Sequence, residues 1–446
     1  MKKTAEVMEK VRKENVRFVE LWFVDILGML KTITIHTDEL EKAFTEGIGF
    51  DGSSVEGFAR IYESDLILIP EAETYLPLDW AGSFQDEENG SKTVRFFCSI
   101  YTPSGGHYEG DCRYVLKRAL EKIHTQGYTF NIGPELEYFY CKDSTTPSQL
   151  DHAGYFDFIP ADLGSRVRNE TIQACERLGI HVNTAHHEVA PSQHEIDLQY
   201  NEAMLMADRL VTLKIVIKQI AAKHGIYATF MPKPFFGQNG SGLHIHQSLF
   251  QNGKNAFYDE EDPDYLSSIA KSYIAGLFKY IPEITAVLNQ WVNSYKRLVP
   301  GYEAPAYISW GRMNRSALVR VPLYKPGKES ASRIELRSPD SGCNPYLAFA
   351  ISLAAGFRGI EEDLSLPPAV EKDIFHMQEE ERAEEKIATL PGSLIEAIHA
   401  IEKSSLAEDA LGSHIFSKFI ENKKVEWDEY RTRVTQYELE TYYPWL

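Results

Sequence analysis

Positive charge is scarce in this chain: 46 lysines and arginines stand against 65 aspartates and glutamates, a formal net charge of −19 over 446 residues. So acidic a chain is repelled by polyphosphates and anionic lipid surfaces, which argues against nucleic acid or a membrane as its main partner. Any phosphate-bearing substrate must then be held by local arginines or by metal ions. Cysteine is sparse as well. The five present (Cys98, Cys112, Cys141, Cys175 and Cys343) are odd in number and scattered, without CxxC spacing. No disulfide framework or zinc site is implied, and a reducing, cytoplasmic setting is expected. Long apolar runs are missing, so nothing reads as a bilayer span. The opening MKKTAEVMEKVRKENV is charged and helical in pattern and lacks the apolar core of a signal peptide.

What the chain has is length and apolar content. Its 446 residues exceed what one hydrophobic core usually supports, and 43% hydrophobic residues suffice for packed cores, so two domains, one large, are expected. Residues 1–103 read as the smaller, with a helix near 4–14 followed by alternating segments such as VRFVELWFVD and KTVRFFCSIY. FDGSSVEGF (50–58) is loop chemistry, where Asp51 by itself suits an Asx turn. TPSGGHYEGD (102–111) is a turn-rich joint, and residues 104–446 form the second domain. Helices are predicted near 112–126, 163–178 (with Asp162 as N-cap and Gly179 as stop) and 201–224. The acidic run QEEERAEEK (378–386) is a solvated helix face.

The second domain is organised around TFNIGPELEYFYC (129–141). Its strand formers place Glu135 and Glu137 two apart, hence on one face, and Gly133–Pro134 predicts a bend or bulge aiming the pair into a cavity. Two like charges on one face are most readily kept around a cation. The alternation recurs. In HHEVAPSQHEID, Glu195 and Asp197 alternate with Ile196 and Leu198, and Glu188 precedes the Pro191 bend. GLHIHQSLF points His244, His246 and Ser248 one way, and SRIELRS does the same with Arg333, Glu335 and Arg337. Strands with one apolar and one charged face predict an antiparallel sheet lining a cavity, with helices on its other side.

Glu135, Glu137, Glu188, Glu195, His244 and Glu335 form a mainly hard-oxygen ligand set, suited to Mg²⁺ or Mn²⁺ more than to zinc. Arg297, Arg312, Arg315, Arg320, Arg333 and Arg337 gather in an otherwise acidic chain, and guanidinium forks hold carboxylates and phosphates. GQNGSG (237–242) is a Gly-rich loop entering a strand, with neither Rossmann nor P-loop spacing. Divalent metals, arginines and mobile loops together describe a phosphoryl-transfer site.

FDGSSVEGF, GPELEYF, HHEVAPSQHEID, MPKPFFGQNGSGLHIHQSL, NSYKRLVPGYEAP and RIELRSPD resemble, in order and across nearly the whole chain, the signatures of bacterial type I glutamine synthetase. The resemblance implies an α+β fold. A small N-terminal β-grasp domain is followed by a large catalytic domain with a curved antiparallel sheet covered by helices, assembled as a dodecamer of two hexameric rings. It implies ATP-dependent ligation of ammonia to L-glutamate through a γ-glutamyl phosphate, with two or more Mg²⁺ or Mn²⁺ ions per site.

Residue by residue, Glu137, Glu188 and Glu195 match the ligands of one ion, and Glu135, His244 and Glu335 those of the ion nearer ATP. Tyr200, His246, Ser248, Arg315 and Arg320 match ATP contacts. Asn239, Gly240, Arg297 and Arg337 match the glutamate site, with Arg337 also serving the transferred phosphoryl group. Asp51, Ser54, Tyr155, Glu188 and Glu303 match the ammonium site. Asp51 is its base, supplied by the adjacent subunit, and Glu303 lies on a closing flap.

Some positions depart from the pattern. Ser192 stands where glycine is usual, and the loop 324–332 is long, which leaves the adenine contacts near Lys325 and Lys328 open. Phe375 occupies the place of the tyrosine that one subtype adenylylates, and that subtype's helical insert is missing. The chain therefore resembles the feedback-inhibited, non-adenylylated subtype, in which Arg60 matches a residue linked to that inhibition. The competing readings are a relative that ligates glutamate to a polyamine and a non-catalytic nitrogen-sensing or scaffold homologue. A regulatory protein partner and a docking role for the aromatic C-terminus LETYYPWL stay open.

Overall fold

The computed structural model describes residues 2–57, 65–78, 92–160, 162–323, 326–372 and 374–446. In the N-terminal part, strand Val16–Val24 pairs antiparallel with Leu30–His36 and parallel with Lys92–Tyr101. The latter pairs with Asp65–Pro70, which in turn pairs with Ile48–Asp51. Alternation gives this sheet two buried faces. Val19, Leu21, Phe23, Phe96, Cys98 and Ile100 pack with Val7 and Val11 of helix Lys2–Lys13. Trp22, Val24 and Phe97 point the other way, into the main core of the molecule.

A buried polar clamp also joins the two parts. Arg113 pairs with Glu71 at 2.6 Å and with Asp208 at 3.0 Å, and the Tyr346 hydroxyl donates to Asp208 at 2.6 Å. All five cysteines are free and buried. Among the described residues no helix is long and apolar enough to cross a membrane.

The large sheet runs Trp310–Gly311, Val319–Arg320, Ile334–Leu336, Leu243–Gln251, Tyr128–Cys141, Gln193–Leu198 and Val182–His187 in spatial order. Its pairings are antiparallel apart from the short parallel pair at the first edge. Leu136, Tyr138, Ile196, Leu243, Ile245, Ile334 and Leu336 form its apolar face. They pack in one core with helices Ala203–Lys223, Ser268–Leu288 and Pro345–Glu361. The last two helices touch backbone to backbone at Gly276 and Gly359, where an added Cβ would come within 2.7 Å of the facing glycine.

Helices begin and end close to the expected places. Cys112–His124 is capped by Asp111, and Leu163–Arg177 by Asp162, whose carboxylate accepts from the Ser165 N–H. No bulge falls at Gly133–Pro134 on the side of Leu243–Gln251. Pairing with Leu243–Gln251 runs without a shift from Tyr128 to Leu136. Pro134 instead falls where the other neighbour changes from Gln193–Leu198 to Asn201–Glu202, between the pairs Glu135–Asp197 and Ile132–Asn201. A residue without an N–H fits at such a gap in the ladder.

Candidate active site

Strand register assembles the site. Glu135 faces His244 across one side of its strand and Asp197 across the other, while Glu137 faces Glu195. Farther along, His246 and Arg320 face Glu335, and His186 faces Glu195. With side chains alternating, these residues share the face opposite the core. They line a cavity of about 290 Å³ that holds all six ligand candidates together with Arg297, Arg312, Arg315, Arg320 and Arg337.

One wall is a dense lattice of carboxylates and imidazoles. His244 Nδ1 lies 2.9 Å from Glu135 Oε2, and His246 Nε2 lies 2.5 Å from Glu135 Oε1. Burial pushes Glu135 up, but the His246 and His244 imidazoles outweigh it and hold the carboxylate well below its usual range. Glu335 is fully buried, and against the upward push of burial Arg337, donating at 3.0 Å, keeps it low; Arg320 bonds its other oxygen.

Glu188 and Glu195 behave oppositely. Burial and the neighbouring Glu137 charge push Glu188 up to about 8, and burial with Asp197 and Glu137 drives Glu195 upward. Asp197 rises to about 6 through burial and Glu135. Carboxylates that repel each other in a buried wall have the chemistry of a divalent-cation site. Ligand atoms of Glu135, His246 and Glu335, of Glu135, Glu195 and His244, and of His186, Glu188 and Glu195 lie within 4.8 Å of one another.

Arg297, 2% exposed, donates to the Ser338 and Arg337 carbonyls and lies against Gly240 and Gly242 of the Gly-rich loop. At the exposed rim, Arg315 donates to Glu303 and Asn239 Nδ2 lies 3.5 Å from its other oxygen. Tyr155 lines the same cavity, with the Arg315 guanidinium 5.5 Å from its ring centroid. Tyr200, His246 and Ser248 line an adjoining cavity of about 360 Å³. Gly133 opens it, since a Cβ there would stand 3.3 Å from the Tyr200 Cβ. Arg333 lines it too, its Nε donating to His246 Nδ1 at 3.2 Å.

Asp51 and Ser54 line neither cavity. Asp51 ends its strand and caps the turn that follows, accepting from the Ser53 N–H at 2.9 Å. Arg60 and Lys325 lie outside the described residues.

Sequence reasoning missed Gln193 and His186, and put Asp197 on the charged face without counting it among the site residues. Gln193 donates to Glu137 Oε2 at 2.8 Å and to the Gly240 carbonyl at 3.0 Å, linking the carboxylate wall to the Gly-rich loop. The signal was present, because Gln193 and Asp197 flank Glu195 at a spacing of two.

Fold and cavity define an enzyme class: a small grasp-type sheet ahead of a curved catalytic sheet whose charged face carries carboxylates beside arginines. Residues 15–103 match the glutamine synthetase β-grasp domain and residues 109–442 the glutamine synthetase catalytic domain. The chain is 48% identical to glutamine synthetase of Mycolicibacterium smegmatis over 440 residues, covering 98% of each. It is 48% identical to that of Thermotoga maritima over 444 residues, covering 98% of this chain and 99% of the relative. A cryo-EM structure of Plasmodium falciparum glutamine synthetase superposes with TM-score 0.88 at 26% identity, covering 99% of this chain and 98% of that one. GmaS in complex with ADP gives TM-score 0.87 at 28% identity, over 98% and 99% of the two chains. The chain belongs to the glutamine synthetase family.

Proposed function

We propose that this chain ligates ammonia to L-glutamate with ATP, forming L-glutamine through a γ-glutamyl phosphate. The observation that carries the reading is the register of the catalytic sheet, which gathers carboxylates, imidazoles and arginines on one face that lines one cavity. In a chain 45–48% identical along its whole length to glutamine synthetases, that lining suits a phosphoryl transfer between two anions.

Glu137, Glu188 and Glu195 would hold one divalent ion and Glu135, His244 and Glu335 another. When bound, Mg²⁺ or Mn²⁺ neutralises charge on the phosphoryl oxygens. Tyr200, His246 and Ser248 take the nucleotide in the adjoining cavity, while Arg315 and Arg320 meet its phosphates. Asn239, Gly240 and Arg297 hold glutamate. Arg337 is already oriented by its bond to Glu335, so it can meet the transferred phosphoryl group without reorganising. A glutamate γ-oxygen attacks the γ-phosphorus and ADP leaves. Ammonium, attracted by Tyr155, Glu188 and Glu303 with Ser54, gives a proton to Asp51; the freed ammonia attacks the acyl carbon, the bond to phosphate breaks, and the surplus proton on nitrogen passes to the departing phosphate, leaving the amide. Glu303 closes the rim against water, which would otherwise hydrolyse the acyl phosphate.

Asp51 and Ser54 come from a neighbouring subunit in a dodecamer of two hexameric rings. Residues 1–103 and 104–446 are the two domains, and the enzyme works in the cytoplasm. Steady-state assays with ATP, glutamate, Mg²⁺ and either ammonium or putrescine test the reading. Glutamine formation with ammonium that stops without divalent metal is expected. Turnover with putrescine alone would overturn the choice of nucleophile, and no turnover with either would overturn the function.

A further inference from the structure

Ser192 is fully buried and sits at φ +65°, and Phe156 sits at φ +60°. Two non-glycine residues in the left-handed region, on either side of one histidine, indicate a backbone held there by its surroundings. The surroundings are a hub around Asp151. Its Oδ1 accepts from the Ser192 N–H at 2.9 Å and the Ala153 N–H at 3.0 Å, and His187 Nε2 lies 3.1 Å from the same oxygen. The Ser192 hydroxyl oxygen accepts in turn from the Leu150 and Asp151 N–H groups at 2.7 and 3.1 Å. His187 Nδ1 also faces the Glu188 carbonyl at 2.7 Å; a carbonyl and a carboxylate only accept, so both ring nitrogens donate.

Both ends of the loop after Asp151 are thus tied to the element bearing Glu188. Phe156 N–H donates to the His187 carbonyl at 3.1 Å, and the Ser192 carbonyl accepts from Tyr140 of the central strand at 3.0 Å. Tyr155 lies between these ties, its ring 3.9 Å from that of Phe156 and 5.5 Å from His186, lining the main cavity.

Asp151, His187 and His194 also gather ligand atoms within 4.8 Å of one another. A metal is not their purpose. Arg168 Nη1 stands 2.7 Å from His194 Nδ1, which places a fixed cation there and makes that nitrogen the acceptor. The other ring nitrogen then carries the proton.

We propose that Asp151, gripped between Ser192 and His187, is a positioning residue that fixes Tyr155 over the subsite for the amine nucleophile. The inference rests on the assignment of Tyr155 to the ammonium subsite. Glycine at 192 would keep the backbone bend and remove the hydroxyl that accepts from Leu150 and Asp151, so the serine adds a tie that glycine lacks.

The test measures KM for ammonium, glutamate and ATP, kcat and Tm in the full-length enzyme carrying Asp151→Asn, Ser192→Gly or Tyr155→Ala. Asp151→Asn and Ser192→Gly are expected to raise KM for ammonium about tenfold, with KM for glutamate and ATP within about twofold of wild type. Ser192→Gly relieves the left-handed strain, so it keeps the comparison open if Asp151→Asn folds poorly. If Tyr155→Ala raises ammonium KM while Ser192→Gly does not, the positioning role is overturned and the subsite stands. If Tyr155→Ala leaves ammonium KM unchanged, the subsite assignment fails and the inference with it. A rise in all three KM values together would mark the hub as general scaffolding and overturn the inference.

Discussion

Glu303 and Arg315 meet at the rim of the catalytic cavity, Arg315 Nη1 donating to Glu303 Oε1 at 3.1 Å, with side chains 43% and 61% exposed. An ion pair this exposed contributes only about 0–1 kcal/mol to stability. Its value would lie in holding the rim closed over a hydrolysable intermediate. Arg315→Met should therefore leave Tm within about 2 °C of wild type. The ratio of phosphate released to glutamine formed should rise from near one to several-fold above it. A raised KM for ATP is expected from its contact with the nucleotide phosphates, but with the ratio still near one Arg315 would have no part in closure.

The carboxylate wall predicts proton release on metal binding. Burial and Glu137 push Glu188 up to about 8, and burial with Asp197 raises Glu195, so at neutral pH the metal-free site holds protons that a divalent ion must displace. Affinity for Mg²⁺ should rise from pH 6 to pH 8, with net proton release visible by calorimetry at pH 7 in buffers of different ionisation enthalpy. The unfolded chain loses the Glu188 proton near pH 4.5, whereas the folded one keeps it to about 8. Stability of the metal-free protein should therefore fall as pH rises through that window. Affinity flat with pH would remove these glutamates from the ion site.

Period-two alternation made much of this site legible. Glu135, Glu137, Glu195, His244 and Glu335 were readable because a strand that buries one face declares its other face in sequence. Asp197 was placed on that face but left out of the ligand set, and Gln193, which obeys the same rule, was passed over. The fit of Pro134 in the sheet could not be read in advance, because the missing N–H is accommodated by a change of neighbouring strand, which only the pairing reveals. The Asp151 hub was illegible for a related reason. It joins Asp151 to His187 and Ser192, residues 36 and 41 positions away, through loop geometry that carries no periodic signal. The Lys233 ammonium likewise lies over the ring of Tyr302, far along the chain.

Lys233 offers a separate check on the Gly-rich loop. Its ammonium sits 3.6 Å from the Tyr302 ring centroid and bonds the Gln238 carbonyl beside Asn239. Burial and the Arg297 charge push it down to about 8. At pH 8 roughly half of it is then the neutral, nucleophilic amine, against well under one in a hundred for an ordinary lysine. Brief acylation read by mass spectrometry should modify Lys233 ahead of the exposed Lys254, with half-maximal rate near pH 8. Saturating glutamate should protect it if the loop binds that substrate. Labelling that follows Lys254 across the pH range would contradict the depressed value.

The assembly can be tested through Asp51. This residue ends strand Ile48–Asp51 of the small sheet and caps its own turn, whereas Arg337 lines the cavity that Asp51 does not reach within one chain. If the catalytic base comes from the adjacent subunit, each site needs an intact Asp51 from one chain and an intact Arg337 from the next, a heterologous contact that closes a ring. Asp51→Ala and Arg337→Ala subunits should each be nearly inactive alone. Mixed at equal amounts, half of the donors and half of the acceptors are intact, so about a quarter of the interfaces pair both groups and activity should return to about a quarter of wild type. Were the two groups to act within one chain, every mixed site would still lack one of them. Mixed rings verified by two different tags that stay at the level of the single variants would place Asp51 in its own chain's site or remove it from the reaction.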